Sequence, residues 1–274
     1  MNPPEDHSSP DEHLSPEQLF VKTYIEAIQD HPGTPLRWRI EEFQRVLTAW
    51  AGFSLALREF IDECENDPDI HGELIRNVGD RSKQSQLILQ LDQRLIAYVA
   101  GAGALIDHSR NLARDQPSGI EEAHKSRAAA MLADVPASAF FGKLRNYILH
   151  KVVAPWAFQM RPNGNITEGI VSLQADRLLE SKSTWTKDAR AFLLGCEGRV
   201  RLSDHLREYE DANMMLCATL ITDIMNARSE EFEELTTLQK ELRQGMTGGR
   251  FNNDALRHHD LEERLRVHRE NEPE

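Results

Sequence analysis

The sequence predicts an all-α protein, a helical bundle that carries one small β-hairpin. Apolar residues recur at helical spacing over most of the 274 residues, and breaks rich in proline or glycine separate the periodic segments. One stretch differs, because Trp156 to Arg161 and Ile166 to Leu173 flank Asn163-Gly164, a dipeptide typical of two-residue hairpin turns. With 40% hydrophobic and 28% charged residues, the chain can bury a sizeable core.

The first elements are predicted from their start and stop signals. Residues 1–14 are acidic and rich in proline and serine, which predicts a disordered arm. Ser15-Pro16-Glu17-Gln18 predicts a helix start, since it supplies an N-cap, a proline at the first helical position and a capping-box partner. This helix is expected to end near Asp30, and a second helix to run from about Leu36 to Cys64, where Asn66-Asp-Pro68 stops it.

The next helices surround a segment with unusually little side-chain bulk. A long helix is predicted from about Arg81 to Arg114, and it contains the run Gly101-Ala-Gly-Ala104. Glycine inside a helix costs on the order of 1 kcal/mol, so another segment is expected to approach this backbone closely. A shorter helix spans Glu121 to Leu132, and Asp134-Val-Pro136 opens one that ends before Pro155.

After the hairpin, two more helices and a tail complete the predicted organisation. The helices run from about Thr184 to Leu194 and, without a break, from about Ser203 to about Gln244. Gly245 to Asn253 indicates a linker, and Asp254 to Asn271 a charged terminal helix. The expected domains are therefore an arm over 1–14, one helical domain over 15–245, and an appendage over 246–274.

Several classes of protein are disfavoured by the sequence. Cys64, Cys196 and Cys217 are far apart and odd in number, which argues against a disulfide framework and a zinc knuckle. The N-terminal residues lack the pattern of a signal peptide, and the longest apolar run, Tyr98 to Ile106, is too short to span a bilayer. Phosphate-loop, dinucleotide-binding and hydrolase-elbow motifs are absent from the sequence. We therefore expect a cytoplasmic protein without membrane contact.

One basic window stands out from an acidic chain. Between Val135 and Thr167 there is no Asp or Glu, although 45 of 274 residues are acidic and about five would be expected. Lys143, Arg145, Lys151 and Arg161 lie in this window together with His150. In a chain of net charge −13, such a segment around a titratable histidine indicates a local anion site. A helix packed against an acidic neighbour is the alternative.

The segment Arg145-Asn146-x-x-x-His150 resembles the Arg-polar-x(3 to 5)-His motif of HEPN-domain proteins. The resemblance covers, more loosely, about residues 81–230. It implies a HEPN-like helical bundle and a homodimer in which the Arg and His of two protomers meet in one cleft. It also implies a metal-independent endoribonuclease, with RNA as substrate and no cofactor. Such a protein could be a toxin or defence effector with an antitoxin partner. Members modified by a partner nucleotidyltransferase carry tyrosine two residues after the histidine, where this chain has Val152.

The resemblance also implies roles for the motif residues. Arg145 would hold the scissile phosphate with its permanently charged fork, and His150 would transfer a proton to or from the ribose and leaving-group oxygens. Asn146 would orient the histidine or the phosphate. The products would be a 2′,3′-cyclic phosphate and a 5′-hydroxyl. The dimer contacts are expected to involve the helix over 137–154 and the small-residue face over 101–104.

Supporting roles are less distinctive. Lys143 and Lys151 could contact RNA backbone at the rim of the site, and Tyr147 could stack on a base, although an aromatic residue beside a helix end is more often buried. Asp107, His108 and Arg110 lie near the end of the glycine-containing helix, where Asp107 or His108 could orient the motif residues. A solvated ion pair within that helix is equally consistent with the pattern.

Two alternatives remain beside the ribonuclease. A metal site has little support, because Glu121-x-x-His124 is the single Glu-x-x-His, whereas a di-iron bundle needs two and further carboxylates. The second alternative is a catalytically inactive HEPN-like module that binds a nucleotide or a protein partner through the same surface. Burial of Arg145 or His150 in the core would favour that module.

Overall fold

A computed structural model describes residues 14–76, 81–117, 119–150, 153–163, 166–181 and 183–247. Over these ranges the chain forms ten α-helices and one small antiparallel sheet, so the predicted helical class with a hairpin is confirmed. The predicted arm over 1–14 and the appendage over 246–274 lie almost wholly outside the described residues.

The elements have the following bounds. The helices are α1 (Pro16–Asp30), α2 (Gly33–Asn66), α3 (Pro68–Arg76), α4 (Ser82–Arg114), α5 (Ile120–Ala133), α6 (Ser138–His150), α7 (Ala175–Glu180), α8 (Lys187–Gly195), α9 (Leu206–Ala227) and α10 (Ser229–Thr247). The strands are β1 (Trp156–Asn163), β2 (Ile166–Gln174) and β3 (Arg199–Val200), and a short 3-10 helix, Leu202–Asp204, precedes α9. None of the helices in the described ranges is long and apolar enough to cross a membrane.

The chain groups into two compact units. One unit comprises the described residues of 1–39 and 225–274, and the other comprises Ile40–Ile224. Helices α2 and α9 contribute to both units. The sequence pattern predicts a single domain over 15–245, whereas the contacts within the chain divide those residues into two. The motif helix α6 belongs to the larger unit.

The smaller unit is built around α1 and α10. The Ser15 side chain accepts a hydrogen bond from the Gln18 backbone N–H, and the Gln18 side chain accepts one from Ser15, which confirms the predicted capping box. Tyr24 packs in a small apolar cluster and its hydroxyl donates to Glu241, 3.0 Å away. The other members of the cluster are Ala27 and Leu238, with Phe20, Ile28 and Leu242 at its edge.

Aromatic side chains fill the core of the larger unit. Helix α6 packs against α4 on one side and α8 on the other. Phe141 lies against the rings of Tyr98 and Tyr209, with centroids 5.9 and 4.8 Å away. Phe140 lies against Trp185 and Phe192, at 5.7 and 5.3 Å. These contacts fix the position of α6, and with it the motif residues.

The sheet has the order β1-β2-β3 and is antiparallel throughout. Pairing between β1 and β2 runs from Trp156 opposite Leu173 to Asn163 opposite Ile166, which confirms the predicted hairpin. Its turn, residues 164–165, lies outside the described ranges. Strand β3, which was not predicted, pairs with the end of β2.

A buried carboxylate joins the end of α2 to this sheet. Glu65 accepts a hydrogen bond from the Val171 backbone N–H at 2.9 Å and one from the Arg201 guanidinium at 3.1 Å. The residue is buried, so its charge needs these donors. Nearby, the Nε2–H of His71 on α3 donates to the Cys64 carbonyl oxygen at 3.0 Å.

Gly169 of β2 allows this close packing. A Cβ at this position would lie 2.7 Å from His71 Nε2 and 2.8 Å from the Cys64 carbonyl oxygen. Both distances are shorter than packed atoms tolerate, and the carbonyl belongs to the backbone. We expect Gly169→Ala to destabilise the protein by about 1 to 3 kcal/mol, because neither atom can move without breaking the hydrogen bond between them.

Urea unfolding followed by circular dichroism measures this effect. Gly195→Ala is the matched control, since a Cβ there has no atom within 4 Å. A Gly169→Ala variant as stable as the control would show that β2 is not packed tightly against the end of α2.

The three thiols are unpaired in the structure. Cys64 and Cys217 are buried, and burial raises the pKa of both to about 12. Both thiols therefore stay protonated near neutral pH, and the two residues serve as packing residues in the core.

Four features depart from the predicted elements. Helices α3 and α7 and strand β3 were not predicted, and the unbroken helix expected from Ser203 to Gln244 is wrong. The chain breaks at Arg228, whose Nε and Nη2 donate to the two carboxylate oxygens of Glu231 at 2.5 and 2.6 Å. This side-chain pair lies at the start of α10, in a sequence without glycine or proline.

Candidate functional site

Helix α6 presents the motif on its exposed face. Phe140, Phe141, Leu144 and Tyr147 are buried, and their spacing places them along one stripe of the helix. Asn146 and His150 are exposed, and Arg145 is half-buried. Neither Arg145 nor His150 is enclosed in the core, so both could reach a ligand from solvent.

Arg145 lies directly against the backbone of α4. A Cβ on Gly103 would be 2.5 Å from Arg145 Nε and 2.6 Å from both Cδ and Cζ, so only glycine leaves room for this side chain. One turn further along α4, Asp107 Oδ2 is 3.7 Å from Arg145 Nη1. The Arg145 side chain remains 42% exposed and that of Asp107 58% exposed. Arg145 is thus placed on the surface by two contacts with α4.

The close approach predicted from the small-residue run therefore occurs within one chain. Gly101 faces α2, where a Cβ would meet Phe53 Cδ2 at 3.0 Å and Trp50 Cδ1 at 3.2 Å. Gly103 faces α6 and Arg145. Glycine lowers helix stability, and this cost was the reason to expect a contact between protomers at 101–104. The close contacts with α2 and α6 of the same chain already account for the two glycines.

Arg145 and His150 point to different flanks of the exposed face. An α-helix turns by about 100° per residue, so side chains five positions apart differ in direction by about 140°. Asn146 and His150 are four positions apart and share a side. Leu149, an apolar residue that is partly exposed, lies between the two flanks. One protomer thus offers the guanidinium and the imidazole at the two edges of one surface.

Two aromatic residues of the window are not available to stack on bases. Tyr147 is only 4% exposed, and its ring stacks on Trp185 with centroids 5.5 Å apart, so it matches the alternative of a buried aromatic residue beside the helix end. Burial raises the pKa of its hydroxyl. Trp156 is also buried, and its indole N–H donates to Asp92 at 2.8 Å. Trp185, which lies just before α8, covers Tyr147, and Asp92 of α4 contacts Trp156, so segments distant in sequence hold both residues in the core.

The remaining supporting residues differ in their placement. Lys143 is half-buried on α6, and Lys151 lies outside the described residues. His108 and Arg110 are exposed on α4, and within the described ranges neither makes a hydrogen bond or ion pair to Arg145, Asn146 or His150. Of the predicted orienting residues, the structure brings Asp107 to the motif.

The basic window has acidic neighbours in space. Asp107 lies beside Arg145, and Asp92 accepts from Trp156 and has its pKa raised by burial. Both carboxylates come from α4, which lies in another part of the sequence. On the Arg145 side, α6 therefore packs against an acidic neighbour, as the alternative interpretation of the basic window expects. Asn146 and His150 are exposed to solvent.

Comparison with known proteins assigns this geometry to no family. The chain matches no protein-family model, no curated protein and no solved structure. The resemblance to HEPN-domain proteins is carried by Arg145, Asn146 and His150 themselves.

The possible metal-binding pattern Glu121-x-x-His124 is not part of a ligand cluster in the described residues. No three His, Cys, Asp or Glu side chains come together as metal ligands in the described part of the chain. Glu121 pairs with Lys125 at 2.8 Å, while His124 is 4% exposed and has a buried Nδ1 without a hydrogen-bond partner in the described ranges.

His124 is expected to make stability depend on pH. Burial lowers its pKa below the ordinary value of 6.5, Arg127 and Arg110 lower it further, and Asp223 opposes them. The unfolded chain then binds a proton more readily than the folded one, so the free energy of unfolding falls as pH drops below about 6.5.

Urea unfolding at about pH 7.5 and about pH 5.5 measures this dependence. We expect His124→Gln to lose less stability between the two values than the parent, because glutamine does not titrate. His108→Gln, at an exposed position of α4, should behave like the parent. Equal losses in the parent and His124→Gln would exclude this role for His124.

Proposed function

We propose that this chain is a metal-independent endoribonuclease of the HEPN type, with Arg145, Asn146 and His150 as its catalytic residues. The placement of Arg145 carries the proposal. Its guanidinium is held on α4 by Gly103 and Asp107 and yet is 42% exposed, while Asn146 and His150 are exposed on the same helix. A cation held at the surface and accessible to solvent is suited to binding a phosphodiester.

The proposed reaction is a transesterification within RNA. The 2′-oxygen forms a bond to phosphorus as the bond from phosphorus to the 5′-oxygen breaks. His150 accepts the proton of the 2′-hydroxyl or, when protonated, gives a proton to the leaving 5′-oxygen. Arg145 stabilises the negative charge that develops on the phosphate oxygens, and Asn146 orients the histidine or the phosphate. The products are a 2′,3′-cyclic phosphate and a 5′-hydroxyl.

A homodimer is part of this proposal. Arg145 and His150 of one helix point to different flanks, so a single α6 does not direct both groups at one phosphate. A second copy that packs against the same exposed face would bring its own pair to the cleft. Leu149 and Val153 are exposed apolar side chains on or just after α6, and such a contact would cover them. In a toxin or defence effector, an antitoxin could cover the same surface. We expect such an enzyme to act in the cytoplasm.

A catalytically inactive module is the second candidate, and Asp107 favours it. The carboxylate 3.7 Å from Arg145 offsets part of the positive charge that would attract phosphate. In that case the same surface binds a nucleotide or a protein partner without cleavage.

Incubation of the purified full-length chain with total RNA in excess EDTA distinguishes the candidates. We expect fragments that end in 2′,3′-cyclic phosphate and begin with 5′-hydroxyl. Intact RNA, or fragments with 5′-phosphate ends, would exclude the proposed chemistry, and intact RNA that is nevertheless bound would favour the inactive module. Light scattering that shows a strict monomer at micromolar concentration would exclude the composite cleft.

A further inference from the structure

Gly103 occupies an unusual place in α4. Glycine weakens a helix relative to alanine, so a glycine in the middle of α4 needs a compensating contact. At Gly101 that contact comes from two rings of α2, the fully buried Trp50 and the 41% exposed Phe53. At Gly103 the three atoms nearest to the missing Cβ all belong to one flexible side chain, that of Arg145.

Because of this difference, a side chain at position 103 would affect the candidate site rather than the core packing. If Gly103 carried a methyl group, the core would not have to move, because the Arg145 side chain could swing into solvent. What would change is the position of the guanidinium. Its Nε, Cδ and Cζ lie within 2.6 Å of the Cβ position, too close for the present orientation to persist.

Asp107 supplies a second point that defines the orientation. It lies four residues after Gly103, which on a helix is the same face one turn along. The Nε side of the guanidinium lies over Gly103, and Nη1 is directed toward Asp107 at 3.7 Å. The guanidinium therefore lies along α4 before any ligand arrives. An exposed ion pair of this length holds a side chain weakly, so the present orientation depends mainly on the room that Gly103 leaves.

We propose that Gly103 is a positioning residue for Arg145, and that its lack of a side chain orients the guanidinium for phosphate. The chemical role of that orientation rests on the ribonuclease function proposed above, whereas the orientation itself does not. A preorganised arginine loses less side-chain freedom when it binds and presents its fork in one geometry. Displacement of a catalytic group by about 1 Å can slow a reaction by about 10²-fold.

Gly103→Ala tests this inference, with Gly52→Ala as the matched control. Gly52 is exposed inside α2, and a Cβ there has no atom within 4 Å. In saturating RNA with EDTA, we expect Gly103→Ala to cleave about 10- to 100-fold more slowly than the parent and Gly52→Ala to cleave at the parent rate. Both variants should unfold at the parent temperature or above it, because alanine favours helix.

A nuclear magnetic resonance signal reports the orientation without catalysis. The Nε–H resonance of Arg145 is identified by its absence in Arg145→Lys. We expect it to shift or broaden in Gly103→Ala and to stay in place in Gly52→Ala. In the double variant with Arg145→Ala, Gly103→Ala should have no further effect on cleavage and should not lower the unfolding temperature.

The outcomes separate this inference from the proposed function. If the parent cleaves no RNA, the ribonuclease proposal fails, and the Arg145 resonance alone decides the role of Gly103. An unchanged resonance in Gly103→Ala overturns the inference, as does an unchanged cleavage rate in an active protein. A lowered unfolding temperature that Arg145→Ala does not restore also overturns it, because Gly103 would then serve the fold.

Discussion

Replacement of His150 or Arg145 by alanine is expected to slow RNA cleavage by about 10²- to 10⁴-fold. Loss of a proton-transfer group or of a transition-state charge clamp typically has an effect of this size. Both side chains reach solvent, so the free energy of unfolding should change by no more than about 0.5 kcal/mol. Single-turnover cleavage of a labelled RNA, with urea unfolding of the same samples, measures the two quantities.

Other basic residues provide the comparison. Arg207→Ala removes the same charge at an exposed site on α9 and should leave cleavage unchanged. Lys143→Ala and Lys151→Ala should weaken RNA binding and reduce its salt dependence, with little effect on turnover at saturation. If His150→Ala cleaves as fast as the parent, the catalytic assignment is wrong.

Phe140→Ala is expected to lower the free energy of unfolding by about 3 to 5 kcal/mol. The ring is fully buried between α6 and α8, where it contacts Phe141, Trp185 and Phe192. Its removal leaves a cavity among large rigid rings that cannot close around it. Urea unfolding measures the loss, and cleavage should fall with the folded fraction.

Leu149→Ala is the control on the same helix. Its side chain is 38% exposed, so the variant should lose less than about 1 kcal/mol. Equal losses for the two variants would mean that α6 is not packed as described, and the motif residues would then lack a rigid support.

Local signals in the sequence predicted much of the fold. The Ser15 capping box placed the start of α1, and Asn66-Asp-Pro68 placed the end of α2. The turn dipeptide Asn163-Gly164 and its two flanking segments placed the hairpin. In each case the decisive interactions join residues close in sequence.

The missed elements depend on signals that were too short or too ambiguous. Helix α3 has a cap, because the Asp69 N–H donates to Asp67 at 2.7 Å, but the Asp-Pro pair also ends α2 and was interpreted only as a stop. Helix α7 has six residues and no side-chain cap. Strand β3 has two residues and exists because β2 offers an edge, which no local pattern reveals.

In the candidate site, too, the sequence predicted the features that depend on neighbouring residues and missed those that depend on distant ones. Helical spacing was enough to place Asn146 and His150 on one side of α6. The sequence left burial of Tyr147 as an alternative but could not identify the residue that covers it, because Trp185 lies 38 positions further along the chain. The run around Gly103 predicted a close approach, but its neighbour could not be identified without the packing of α6 on α4.

The Glu65 carboxylate also has a consequence for synthesis on the ribosome. Its two donors, Val171 and Arg201, follow it by 106 and 136 residues. At about 5 to 20 residues per second, Arg201 leaves the ribosome about 7 to 27 seconds after Glu65. Until then the end of α2 must stay hydrated, because burial without Arg201 would leave an uncompensated charge. A nascent chain that stops before Arg201 therefore cannot close the packing of its sheet against α2, although α6 and the whole motif have already been made.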